Sequence, residues 1–202
     1  MSVTALRSSS MKSPLICCVA LSSSGKKIWR ARCSWSRTRT QRRLAAAAPL
    51  SQFSGPDVRI ASWNLNSIKA RLDAALAWLD EGQPDVLALQ ELKCVEDAFP
   101  RLEFEAKGYK AVITGQKTYN GSAILSRLPI EDPVVGLPGD DSDEQARYVE
   151  ATINGVRIAS IYLPNGNPVD TEKFPYKIGW MKRLYARAAE LAATGESVAL
   201  LG

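Results

Sequence analysis

Apolar positions recur in ordered patterns from Val58 onward and show no period before it. "VRIASWN", starting at Val58, reads as a strand with Ile60, Ala61 and Trp63 in an apolar setting. In "NSIKARLDAALAWLDEG", Ile68, Leu72, Ala75, Leu76 and Leu79 fall on one face of the helical period. That spacing predicts a helix over 67–81, with Asn66 or Ser67 capping its start and Gly82 its end. Val86, Leu87, Ala88 and Leu89 then form an unbroken apolar run, the pattern of a strand buried on both faces. "KAVITG" and "GSAILS" read as short strands. Asn154-Gly155 separates two alternating runs in "RYVEATINGVRIASIYLPNG", the dipeptide that a two-residue type I′ hairpin turn needs. "IGWMKRLYARAAELAATG" predicts a second helix over 178–193, and "SVALLG" opens one more buried strand. Helices and strands alternate, but a hairpin intrudes, so the expected class is α+β with a mixed sheet.

Composition sharpens the division. The 202 residues carry a net charge of +5, but residues 1–56 hold ten Lys or Arg and no Asp or Glu. Residues 57–202 hold sixteen basic and twenty-one acidic residues, a net −5. Bulk charge therefore argues against non-specific nucleic-acid binding by the body, though not against a local basic groove. Residues 1–56 read as an unfolded Ser- and Arg-rich leader. A mitochondrial transit peptide, a weak secretory signal from Met11, a basic arm for nucleic acid and a spurious start are the competing readings. The absence of periodicity favours the spurious start. Residues 57–202 read as the folded domain. Cys17, Cys18 and Cys33 lie in the leader and Cys94 alone in the body, so no disulfide framework is expected. There is no histidine, which removes His-dependent triads and His-rich zinc sites. No stretch is long and apolar enough to span a membrane.

Polar residues cluster where strands end. Gln90 and Glu91 follow the most buried run, Asn64 and Asn66 follow the first strand, and Tyr162 and Asn165 follow the second arm of the hairpin. Each has a bland explanation. Glu91 could be a solvated rim carboxylate, the two asparagines a helix cap, Tyr162 an amphipathic core residue and "PNGNP" a turn. Three such exits together point further. Brought to one rim, they offer oxygen ligands suited to Mg²⁺ or Mn²⁺, which need only one or two protein carboxylates.

"RIASWNLNSIKAR", "QPDVLALQELK", "GQKTYNGSAILS", "LPGDD", "QARYVEA" and "IASIYLPNG" stand in an order that resembles the exonuclease III family of abasic-site endonucleases, closer to its bacterial members. The resemblance runs from about Val58 to the last residue. It implies a deoxyribonuclease I-like two-sheet β-sandwich with helices outside and the site at one edge. It implies metal-dependent hydrolysis of a DNA phosphodiester, at an abasic site in duplex DNA or from a 3′ end. Residue by residue, Glu91 matches the family's metal-ligand glutamate. Asn66 matches a position near the metal that is Asp in animal members. Asn64 matches the asparagine supporting the nucleophile site, and Tyr162 the tyrosine on the scissile phosphate. Asn165 matches a residue at the abasic pocket. Arg147, Lys69, Arg71, Asn120 and Gly121 fall in segments lining the DNA-binding face. The implied cofactor is Mg²⁺ or Mn²⁺ and the implied partner is DNA, with no membrane. The full-length family member would be a monomer in the bacterial cytoplasm, or mitochondrial if the leader is a transit peptide.

The sequence departs from the family at its end. After "ALLG" the family continues into a Gly, Asp and Asn block, then a further aspartate and an Asp-His pair. The expectation is a C-terminally truncated domain, roughly its first sheet with an exposed apolar inner face, and no catalysis by the chain as written. Two rivals stand beside this reading. One is an inositol-phosphate phosphatase or sphingomyelinase of the same superfamily. The other is a non-catalytic nucleic-acid-binding fragment. "LPGDD" and "QARYVEA" favour the nuclease.

Overall fold

The computed structural model describes residues 27–31 and 58–202, with side chains over 58–202. Two mixed sheets pack face to face. The first holds β1 (Lys27–Ala31), β2 (Val58–Asn64), β3 (Val86–Gln90), β4 (Lys110–Thr114) and β5 (Ser122–Ser126), in the order β1-β2-β3-β5-β4. The second holds β6 (Glu131–Val135), β7 (Tyr148–Ile153), β8 (Val156–Ile161) and β9 (Ser197–Leu201), in that order. Each sheet has one parallel pair, β2 with β3 and β8 with β9, and antiparallel neighbours elsewhere. Each parallel pair is joined by a crossover helix, α1 (Ile68–Gly82) in the first sheet and α3 (Lys173–Ala193) in the second. The short α2 (Arg101–Ala106) packs beside β4.

Strand alternation builds three apolar layers. Leu87 and Leu89 of β3 face α1, where they join Ile68, Ala75, Trp78 and Leu79. Val86 and Ala88 face the other way and meet Val149, Ala151, Ile153 and Ile158 of the second sheet. Outside that sheet, Trp180 of α3 is buried against Tyr148, Ala159 and Ile161. The expectation of one sheet with a bare inner face is therefore corrected. The hairpin β7–β8 and β9 supply an opposing sheet, so the inner face of β2, β3 and β5 is covered.

A buried ion cluster fastens α3 to its sheet. Glu150 on β7 is fully buried and pairs with Arg157 of β8 at 2.8 Å and with Arg187 of α3. The Tyr148 hydroxyl donates to the same carboxylate. One acid thus ties two neighbouring strands to a helix.

Element limits differ locally from expectation. Ser67 caps α1, its hydroxyl accepting from the Ala70 amide at 3.4 Å. At the other end the left-handed cap is Gln83, not Gly82. Gly82 is the last helical residue, where an added Cβ would stand 3.0 Å from the Trp78 ring. α3 begins at Lys173 rather than 178. Its extra turn contains Pro175, whose fixed φ and missing N–H suit the first turn of a helix. The hairpin turn has φ 51° at Asn154 and 73° at Gly155, as type I′ requires.

Within the leader, expected to carry no element, β1 pairs antiparallel with β2 from Lys27↔Ser62 to Ala31↔Val58. The rest of that expectation, and Cys17, Cys18 and Cys33, lie outside the described residues. Cys94 is buried with a free thiol. Among the described residues no helix is long and apolar enough to cross a membrane.

Candidate active site

The parallel pairing of β2 with β3 sets Asn64 directly beside Gln90, so both strands end at one rim. Backbone hydrogen bonds lace the loops that follow. The amides of Leu65, Ser67 and Ile68 donate to the carbonyls of Gln90, Glu91 and Leu92 at 3.0, 2.7 and 3.0 Å. On the other side the amides of Leu92 and Lys93 donate to the carbonyls of Gly121 and Asn120 at 3.2 and 2.9 Å. The exit of β3 is clamped between two loops.

Among the described residues, five of the nine non-glycine residues with positive φ lie in this clamp: Asn66, Ser67, Glu91, Lys93 and Asn120. Left-handed backbone is costly for such residues and persists where the surroundings enforce it. Here it has a visible result. Glu91 and Lys93 turn to the same side, while Leu92 between them is fully buried. Gly121 makes the clamp possible, since at φ 94° an added Cβ would sit 2.8 Å from the Leu92 Cβ. Gly121→Ala should lower unfolding stability by about 2 kcal/mol, from strain and overpacking. Urea unfolding measures it, and an unchanged midpoint would show that the clamp yields freely.

The side chains converge on Glu91. The Asn64 amide nitrogen donates to Glu91 Oε1 at 2.8 Å, and Asn64 Oδ1 accepts from the Asn66 amide at 3.1 Å. Lys93 Nζ lies 3.3 Å from Glu91 Oε2 and also donates to Asn66 Oδ1. Arg71 donates to the Asn66 carbonyl at 2.6 Å. Partial burial acts to raise the Glu91 carboxyl. Hydrogen bonds from Asn64 and Lys93, the Lys93 charge and a hydrogen bond from Tyr162 outweigh it, holding the group below its ordinary value.

Tyr162 reaches this carboxylate from the exit of β8, in the other sheet. Burial, then the charge and hydrogen bond of Glu91, push its phenol upward, so it stays a protonated donor at neutral pH. The Arg147 guanidinium lies over the Tyr162 ring, 4.9 Å from the centroid, and donates to the Tyr162 carbonyl at 3.3 Å. Gln145 fixes Arg147 Nε at 2.7 Å.

Asn64, Asn66, Arg71, Glu91, Tyr162 and Arg147 are thus joined by contacts. Asn120 and Gly121 sit beneath them as backbone partners, and the Asn120 side chain is bonded to Gln116 at 2.6 Å. Lys69 is exposed on the first turn of α1. Asn165 stands in the β8–α3 loop, where its Oδ1 accepts from Asn167 at 3.1 Å and its carbonyl from Lys177 at 3.2 Å. Lys93 escaped the sequence-derived site, although its place two residues after Glu91 at a strand exit was the available signal. Gln90, expected with Glu91 in the polar cluster at the rim, turns inward instead. It is buried between the sheets and donates to Ser160 at 3.0 Å.

The donor set fits a hard divalent cation. One carboxylate and one amide oxygen, Asn66 Oδ1, face a common point, and Mg²⁺ is held by few protein oxygens with water filling the rest. Asn64 serves differently, because its nitrogen faces Glu91 and orients the carboxylate. Among the described residues no cluster of three or more His, Cys, Asp or Glu is present.

The model of the Endonuclease/Exonuclease/phosphatase family matches residues 61–202. The chain is 34% identical over 128 residues to exodeoxyribonuclease III of Haemophilus influenzae, covering 59% of this chain and 47% of that protein. A solved 3′-5′ exonuclease from Neisseria meningitidis superposes with a TM-score of 0.60 at 43% identity, over 62% of this chain and 49% of that one. An AP endonuclease from Archaeoglobus fulgidus gives a TM-score of 0.60 at 41% identity, over 63% and 49%. The chain spans about half the length of these relatives. Over residues 61–202 the chain belongs to the endonuclease/exonuclease/phosphatase family, and within it to the exonuclease III and AP endonuclease group.

Proposed function

We propose that this chain carries the metal- and phosphate-binding part of a divalent-metal-dependent DNA phosphodiesterase of base-excision repair, acting on abasic duplex DNA. The observation that carries the reading is the gathering at one rim of Glu91 with Asn64, Asn66 and Lys93, and of Tyr162 under Arg147, from separate loops. Glu91 and Asn66 would hold Mg²⁺ or Mn²⁺. A divalent ion there supplies positive charge to a phosphate oxygen as negative charge develops on it. Asn64 orients the Glu91 carboxylate. Tyr162, kept protonated, donates to a phosphate oxygen, and Arg147 adds charge beside it. Lys69 and Arg71 contact the backbone without reading sequence, and Asn165 faces the abasic sugar. Asn120 and Gly121 hold the floor. A repair role implies the bacterial cytoplasm, or the mitochondrion if the leader directs it there.

Anisotropy of a labelled duplex bearing one abasic analogue, titrated with and without Mg²⁺, tests this. Metal-enhanced binding is expected, stronger than to the intact duplex, and weakened about tenfold in Arg147→Ala through loss of a charge-assisted contact. Preference for inositol phosphates or sphingomyelin vesicles over DNA would overturn the reading in favour of the phosphatase or sphingomyelinase alternative. Cleavage of abasic duplex by the 202-residue chain is expected to be undetectable even at saturating Mg²⁺, since none of the joined side chains is a free general base, whose lack alone costs about 10²- to 10⁴-fold.

A further inference from the structure

Four side-chain oxygens meet at the β2 and β3 exits, and their partners divide them into two pairs. Asn64 Oδ1 accepts from the Asn66 amide, and Glu91 Oε1 accepts from the Asn64 side chain, so both belong to the scaffold. Glu91 Oε2 and Asn66 Oδ1 both face the Lys93 ammonium. These are the two oxygens that the proposed function assigns to the metal. We infer that the Lys93 ammonium is a built-in competitor for the divalent cation, occupying the point between Glu91 and Asn66 and leaving it as the ion enters.

The backbone explains why the lysine stands there. With φ 56° at Glu91 and 54° at Lys93, both side chains are turned to one side of a loop whose middle residue is buried. The lysine is aimed by the same strained turn that aims the carboxylate. Its side chain is 31% exposed and that of Glu91 19%, so the ammonium has an open path to solvent. An ammonium is a compact charge on a flexible stem, which lets it leave and return without moving the backbone. In the metal-free state it neutralises a carboxylate that would otherwise repel a phosphate. Metal affinity is then the difference between two cations competing for the same oxygens, and it is weaker than the donor set alone would give.

This inference rests on the reading of Glu91 and Asn66 as metal ligands, and the experiment separates the two. Mn²⁺ binding to the purified 202-residue chain is followed by electron paramagnetic resonance without DNA. Lys93→Met keeps the stem and removes the charge, and is expected to tighten Mn²⁺ binding about tenfold, the scale of one lost charge-assisted contact. Lys93→Arg keeps the charge and should stay near the unsubstituted chain. Glu91→Gln should abolish binding in either background. If binding depends on Glu91 but Lys93→Met leaves it equal or weaker, the competitor role is wrong and the metal site stands. If Glu91→Gln changes nothing, or no form binds Mn²⁺, the metal site is wrong and the inference falls with it. A measurement on the unsubstituted chain guards against a variant that fails to fold. With its lysines labelled by reductive ¹³C-methylation, the Lys93 resonance should move on Mg²⁺ titration, and a static resonance at saturating Mg²⁺ would overturn the inference.

Discussion

Glu150→Ala is expected to remove about 3–5 kcal/mol of folding stability, a large share of what a domain of this size has. The loss does not come from the ion pairs being worth that much. Glu150 is fully buried, and its removal leaves Arg157 and Arg187 facing each other without the acid that joins them. The Tyr148 hydroxyl loses its acceptor as well. Chemical denaturation measures the change, and a loss under about 1 kcal/mol would mean that water replaces the carboxylate freely.

The same group gives a pH signature. Burial acts to raise the Glu150 carboxyl, but hydrogen bonds from Arg187, Arg157 and Tyr148, with the Arg157 charge, hold it below its ordinary value of 4.5. Its folded value is therefore lower than its unfolded one. The stability it contributes is complete above about pH 4.5 and declines as pH falls through the folded value. Glu150→Gln should flatten that acid limb while lowering stability at neutral pH. An acid limb unchanged by the substitution would assign it to other carboxylates.

The second large effect is on metal-linked stability. At a Mn²⁺ concentration about 100 times the dissociation constant, the unsubstituted chain should gain about 2.7 kcal/mol, the linkage expected for a ligand that binds only the folded state. Glu91→Gln should gain nothing at the same concentration. The amide keeps the shape but loses the charge that attracts a hard cation. Stabilisation by Mn²⁺ that survived in Glu91→Gln would move the cation elsewhere.

Much of the fold was legible because its signals are local. The periodic face of α1, the apolar run of β3 and the Asn154-Gly155 turn each lie within one short window. The second sheet's closure over the first was not, because the contacts of Val86 and Ala88 with Val149 and Ile158 join distant segments. The start of α3 was missed because Pro175 reads as a breaker unless its place in the first turn is known. Within the site, Glu91 and Tyr162 drew attention as polar residues ending apolar runs. Lys93 did not, since its partner Asn66 lies 27 residues earlier and only the left-handed turn brings them together. Gln90 looked like a neighbour of Glu91, and its bond to Ser160, 70 residues away, leaves no trace in local pattern.

That bond bears on how steadily the rim keeps its shape. Contacts made by aliphatic side chains alone fix the register of facing sheets only through shape, because dispersion and burial have little direction. Gln90 bonds to Ser62 at 3.3 Å within its own sheet and to Ser160 at 3.0 Å across the gap, while the Ser160 hydroxyl donates to the Leu89 carbonyl at 3.0 Å. These bonds act as a crossbolt. Gln90 immediately precedes Glu91, and Ser160 stands two residues before Tyr162. The sandwich is pinned against sliding next to the two side chains whose separation a bound phosphate would have to match.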